Sequence, residues 1–349
     1  MNIANILKKF SDLPKPMHTL IISNLFMLGH ILNTTHDLKI YQYLKDKALT
    51  VEELADVSKT DKVILNKILL ILYNFGFIEQ VDGTKYKAND ITEQLNFLHS
   101  AFIGNKVADR ALCNLSKSLK TGNLAWNITY KQSFYETLNE NLDLSKAFDE
   151  WNHETAKLSL YPIIPFYNFA QFKTIVDLGG GKGYFINEVL QRNKEMQGVL
   201  FDRDEVVKNA EVFLNSTNIL ERCKIVGGSL FKSIPEWGDI YCINRVLLNM
   251  SDDQVLQILQ NCRLAMKPNA KLIIIDAVIS SSTDNPTYTL TLLNDLRLYL
   301  LMGGCHRDKT EWENLLKKAS FSVPKILSFE GISLFSIIEA VPIANDIKL

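Results

Sequence analysis

The chain of 349 residues balances 38 Lys+Arg against 39 Asp+Glu, a formal net charge of -1 at pH 7, and so carries no general field for nucleic acid or an anionic membrane surface. Hydrophobic residues make up 47% and charged residues 22%, which excludes a disordered or fibrous chain and, at about 100 to 200 residues per domain, suits two or three globular domains. The five cysteines, Cys113, Cys223, Cys242, Cys262 and Cys305, are odd in number and lack C-x-x-C spacing, the usage expected of reduced thiols in a cytoplasmic protein.

Near the N-terminus, Met17 to Leu32 is apolar but interrupted by His18, Ser23, Asn24 and His30, and falls short of a membrane span. No basic stretch leading into an unbroken apolar core precedes it, so no secretory leader is expected. Leu20, Ile21, Leu25, Phe26, Leu28, Ile31 and Leu32 recur at helical spacing most of the way round, which predicts a helix needing cover on more than one side.

Residues 50–90 then carry a winged-helix pattern. Thr50 and Glu53 form a capping box for a short helix, and Thr60 is placed to cap a second one bearing Val63, Ile64, Ile68, Leu69, Ile71 and Leu72. Asp82-Gly83 predicts a hairpin turn between Ile78–Val81 and Thr84–Tyr86. A helix that reads DNA needs exposed groups for base edges and phosphates, yet Lys62 and Lys67 are the only clear cations of the second helix. The module is therefore expected to support dimerisation, with no nucleic-acid partner.

Residues 91–173 are predicted to be mainly helical. They hold Trp126, Phe134, Tyr135, Phe148 and Trp151 ahead of Tyr161-Pro162-Ile163-Ile164-Pro165-Phe166. Such aromatics can stack on a flat ligand, although each taken singly is more often core. His153 is a further candidate pocket residue.

Ile175-Val176-Asp177-Leu178-Gly179-Gly180-Gly181-Lys182-Gly183 places an acid and four glycines where a buried strand turns into a helix. The spacing matches neither the G-x-G-x-x-G of a dinucleotide fold nor the G-x-x-x-x-G-K-[ST] of a phosphate loop. A carboxylate ahead of the glycines repels a phosphate and suits an ammonium or sulfonium ligand. A helix from Tyr184 and a strand Gly198–Phe201 follow, and Asp202 stands about twenty residues beyond the glycines, well placed for ribose hydroxyls. Asp252 and Asp253 are expected to cap a helix that begins there.

The motifs VDLGGGKG, GVLFD, VGGSLF at 226–231, NRVLLNMSDDQ at 244–254, ILQNCRLAMKPNAKLIIIDAV at 258–278, LRLYLLMGGCHRDKTEW at 296–312 and SIIEAVP at 336–342 follow in order. With them, residues 174–342 resemble the catalytic domain of class I S-adenosylmethionine-dependent methyltransferases. The similarity is to the small-molecule O-methyltransferases of caffeate, acetylserotonin and polyketide type.

The resemblance implies an α/β fold, a doubly wound Rossmann-like methyltransferase domain over residues 170–349. It implies a winged-helix dimerisation domain over 1–105 and a helical bridge lining the acceptor pocket over 106–169. It further implies a homodimer, a small-molecule acceptor and S-adenosylmethionine as cofactor; no H-E-x-x-H, paired histidine-carboxylate or clustered-cysteine pattern is present, so no metal is expected. Asp177, Gly179 and Gly181 match the family's loop around the methionine portion, Asp202 its ribose acid and Arg245 a position beside the cofactor, while Ser229 and Leu230 fall where the family has Asp and an apolar residue against adenine, the serine keeping a hydroxyl but no charge.

Two departures concern the chemistry. Leu248 occupies the place of the family's general-base histidine, and leucine takes no proton. His306 stands where a G-G-x-E-R-T segment has its glutamate, and is the candidate replacement base. A family member that binds the cofactor but catalyses a non-methylating reaction, and an inactive dimeric scaffold, remain as alternatives.

Overall fold

The computed structural model describes residues 12–92, 107–208, 210–285, 287–329 and 333–343. The boundary expected at residue 105 lies outside them. Two compact units emerge, Met1–Arg110 with Asn141–Glu154, and Ala111–Glu140 with Thr155–Leu349.

In the first unit α1 (Lys15–Asp37) and α2 (Ile40–Lys45) lead into β1 (Leu49–Thr50), α3 (Val51–Ser58), α4 (Lys62–Asn74), β2 (Ile78–Val81) and β3 (Lys85–Ala88). The strands form an antiparallel sheet in the order β1-β3-β2. Ile40, Leu44, Leu54, Leu65, Leu69, Leu72 and Ile78 fill the core beneath it.

Local chemistry explains the element ends. Thr50 and Glu53 make the expected capping box. Thr60 does not cap α4; Asp61 does, its Oδ1 accepting from the Ile64 amide at 2.8 Å, because Asp61 is the extended residue directly ahead of the first helical turn. Asp82 and Gly83 both take positive φ, 52° and 68°, as the expected hairpin turn requires. On α1, Leu20, Ile22 and Phe26 are exposed.

The second unit opens with α5 (Leu115–Thr121), α6 (Ala125–Tyr130) and α7 (Phe134–Glu140); α8 (Leu142–Ser159) runs from the first unit into it. Trp126 and Phe134 are core residues here, the indole bonded to Thr137 at 3.1 Å. The sheet follows: β4 (Thr174–Leu178), α9 (Tyr184–Arg192), β5 (Gln197–Asp202), α10 (Asp204–Val207), α11 (Ala210–Ser216), β6 (Cys223–Gly227), β7 (Ile240–Asn244), α12 (Asp252–Ala265) and β8 (Lys271–Ile279). It continues through α13 (Tyr288–Met302), β9 (Arg307–Asp308), α14 (Lys309–Lys318), β10 (Lys325–Leu327) and β11 (Phe335–Ala340).

Strand order is β6-β5-β4-β7-β8-β11-β10, with β6 to β8 parallel and the last two antiparallel; β9 pairs with β8. The near-continuous aliphatic runs of β4, β7 and β8 are what a sheet covered on both faces demands. Val176, Tyr241 and Ile274 belong to the core on one side, their neighbours Ile175, Cys242 and Ile275 to the core on the other. This is the doubly wound Rossmann-like fold. Strand β4 meets β5 on one side and β7 on the other, so its C-terminal end is the topological switch point where such folds bind ligands. Among the described residues no helix is long and apolar enough to cross a membrane, and no three His, Cys, Asp or Glu side chains are grouped to hold a metal.

Candidate active site

Asp177 is the penultimate residue of β4 and is fully buried. Neither of its oxygens has a hydrogen-bond partner of full geometry. Burial, with the Asp202 charge adding to it, pushes the carboxyl up to about 8, and the Ile186 backbone amide in the first turn of α9 pulls back only part of that. Directly over it sits Gly180, where an added Cβ would run into Asp177 Oδ2 and Leu200 Cδ1. One residue on, Gly181 has φ +60° and faces open space.

Asp202 ends β5 and ties the turn down. Its Oδ2 accepts from the Gly181 amide at 2.8 Å and its Oδ1 from the Arg203 amide at 2.7 Å. Desolvation raises its pKa, and these two amides and the Arg203 charge hold the rise back. Each oxygen keeps a second lone pair for a hydroxyl donor. Gly179, also at positive φ, donates to Phe201 O at 2.7 Å and lies against Val246. Ser229 and Leu230 follow β6; the Ser229 hydroxyl accepts from Phe231 N at 3.3 Å, and Asn261 holds the Leu230 carbonyl at 2.8 Å. Tyr135 on α7 lies within electrostatic reach of Asp202 and Arg203.

Arg245 follows β7 in a left-handed conformation, φ 55°, and bonds to Thr155 Oγ1 at 2.8 Å. Burial lowers its pKa to about 10, against the pull of Tyr161 and Asp276. A non-glycine residue held at positive φ in this way costs of order 1 to 3 kcal/mol and is typical of functional sites.

Leu248 is buried in the one-turn helix Leu247–Asn249. Gly304 presses so closely on the Leu248 carbonyl and the Asn249 backbone that no Cβ would fit there. Arg307, itself buried, rivets both segments: it donates to Leu247 O at 3.2 Å, Met250 O at 2.8 Å, Cys305 O at 3.3 Å and Asp252 Oδ1 at 2.9 Å. That contact engages Asp252, which is not the cap of α12. Ser251 is, its amide donating to Gln254 Oε1 at 3.0 Å, because Ser251 is the extended residue before the helix.

His306 is buried between these segments. Its backbone amide donates to Asp295 Oδ1 at 2.6 Å, and its Nδ1 stands 3.7 Å from Asp276 Oδ1. His153 lies in the part of α8 that groups with the first unit.

Residues 112–322 match the O-methyltransferase domain, more than half of the chain. The chain belongs to this O-methyltransferase family. Its relatives include the O-demethylpuromycin-O-methyltransferase of Streptomyces alboniger, 26% identical over 91% of this chain and 87% of that protein. The 8-amino-8-demethylriboflavin N,N-dimethyltransferase of Streptomyces davaonensis is 26% identical over 85% of this chain and 87% of its own length. The structure of human N-acetylserotonin methyltransferase in complex with SAM superposes with a TM-score of 0.82 at 19% identity, covering 96% of this chain and 99% of that one, which shows a shared fold.

Three residues of this O-methyltransferase escaped sequence reasoning. Gly180, not its two neighbours, is the glycine that Asp177 requires, and nothing in a run of three glycines distinguishes the middle one. Asp276 carries a signal in hindsight, being an acid inside the otherwise apolar stretch from Leu272 to Ile279. Asp295 carries none, as its role depends on a backbone amide eleven residues away.

Proposed function

We propose that this O-methyltransferase moves a methyl group from S-adenosylmethionine to the hydroxyl of a small aromatic or polyketide-like acceptor, His306 taking the acceptor's proton. The observation that carries the reading is the buried, unpartnered Asp177 carboxyl beneath a glycine turn that opens at Gly181. A cation is the ligand group that satisfies such a carboxylate, and a phosphate is the one it repels.

In this reading Asp177, Gly179 and Gly181 hold the aminoacyl end, Asp202 the ribose hydroxyls, Ser229 and Leu230 the adenine, and Arg245 the neighbouring wall. When bound there, S-adenosylmethionine would supply an electrophilic methyl group whose leaving group is a neutral thioether. The chain's own task is to orient the acceptor, exclude water and remove the hydroxyl proton. Leu248 contributes an apolar wall and no base.

Leu248 also favours a second reading, in which a neutral amine is methylated and needs no prior deprotonation; a relative named for N,N-dimethylation fits it. The exposed apolar residues of α1, Leu20, Ile22 and Phe26, support a homodimer in which a second copy covers them. The free cysteines support a cytoplasmic setting.

Isothermal titration with S-adenosylmethionine and S-adenosylhomocysteine tests the cofactor site. Micromolar binding to wild type is expected, with about a 10²-fold loss in Asp202→Ala from two charge-assisted contacts. Wild type that binds neither compound would overturn the reading. Labelled-methyl transfer to matched panels of phenols and anilines then separates oxygen from nitrogen acceptors, and bound cofactor with product on neither panel would rule out methyl transfer.

A further inference from the structure

His306 and Asp276 reach the site from segments thirty residues apart, one after α13 and one inside β8. Both side chains are almost fully enclosed, at 6% and 1% exposure. Nδ1 of His306 and Oδ2 of Asp276 have no hydrogen-bond partner, and Asp276 Oδ1 takes only the Ala277 amide at 2.7 Å. Two enclosed polar groups left unmet destabilise a fold, and here the two are neighbours at 3.7 Å.

We propose that Asp276 and His306 form a dyad in which Asp276 is the positioning residue, holding the imidazole with its Nδ1–H toward the carboxylate and its Nε2 lone pair toward the acceptor hydroxyl. The dyad rests on the methyl-transfer reading and deepens it.

The surroundings fix both partners. Asp295 pins the His306 amide, and Arg307 rivets the loop before it to the Leu247–Met250 segment. Arg245 and Arg307 lie within electrostatic reach of Asp276 and favour its ionised form against the desolvation that raises its pKa. In the proposed dyad the 3.7 Å separation shortens to the roughly 2.8 Å of a charge-assisted bond. On proton transfer the acceptor O–H bond breaks, its electron pair stays on oxygen for bond formation to the methyl carbon, and the proton bonds to Nε2. The imidazolium so formed keeps its other N–H on Asp276. Without that carboxylate a positive ring would stand unpaired in an enclosed site. The proton leaves to water once product departs.

The test reads the tautomer directly and needs no acceptor. Protein labelled with 15N-histidine, saturated with S-adenosylhomocysteine, gives long-range proton–nitrogen spectra of its six histidines, and His306→Gln identifies the resonance by its loss. We expect neutral His306 to carry its proton on Nδ1 in wild type and to lose that preference in Asp276→Asn, while calorimetric affinity for S-adenosylhomocysteine stays within about twofold. A proton on Nε2 in wild type, or an unchanged tautomer in Asp276→Asn, would overturn the dyad. The wild-type spectrum suffices even if the variant fails to fold. Loss of cofactor binding in wild type, by contrast, sinks the methyl-transfer reading itself, whatever the tautomer.

Discussion

The two halves of the site are built on different principles. On the cofactor side, Asp177, the glycines and Asp202 come from two consecutive strand-to-helix turns, and much of the polar contact is main chain: Gly179 N to Phe201 O, Gly181 N and Arg203 N to Asp202. On the proposed acceptor side, Asp276, Asp295 and His306 come from three separate segments, the Asp295 carboxylate holding the His306 amide and His306 Nδ1 standing against Asp276. The first half is rigid by virtue of its backbone. The second depends on rivets such as Arg307, and Gly304 lies against the Leu248 backbone.

This contrast can be broken experimentally, most severely at the base. His306→Gln is expected to lower kcat by about 10² to 10⁴-fold, the usual worth of a positioned base, with cofactor affinity unchanged. Equal loss of cofactor affinity would show that the two halves are not independent.

Asp177→Asn sharpens the cofactor half through pH. The folded apoprotein holds a proton on Asp177 up to about pH 8, whereas the free carboxyl releases it near 4. Between those values the unfolded chain binds fewer protons, so this group's contribution to stability is full below about 4 and is lost as pH rises toward 8. A bound cation reverses the preference, and cofactor binding at pH 7 should release a proton. Calorimetry in buffers of different ionisation enthalpy should see that release in wild type and not in Asp177→Asn, together with roughly 10- to 100-fold weaker binding in the variant. Equal proton counts in both proteins would remove Asp177 from the cofactor site.

The smallest effect is expected far from either half. Thr50→Ala removes one side of the α3 capping box and should cost about 1 kcal/mol of stability in thermal unfolding. A change in cofactor affinity there would be unexpected.

Legibility followed the same division. The capping box at Thr50, the Asp82-Gly83 turn, the strand-glycine-helix unit and the second acid were readable because each is decided within a few residues by backbone geometry. Caps slipped by one residue, Thr60 for Asp61 and Asp252 for Ser251, since neighbouring polar residues compete for one position and only the φ,ψ of the last non-helical residue settles it. Of the aliphatic residues of α4, Val63 and Ile64 are exposed while Leu65, Leu69 and Leu72 are buried. A helix so rich in aliphatics has no periodicity sharp enough to orient it.

By itself the sequence determined the strand, glycine turn and second acid of the cradle, because strand runs and glycine turns act locally; the doubly wound sheet came from it only through the family resemblance. Only the tertiary structure decided that His306 is enclosed, that Asp276 is its neighbour and that a side chain at Gly180 would run into Asp177. Those facts rest on distances between segments far apart in the chain, and such distances are set by how the layers pack.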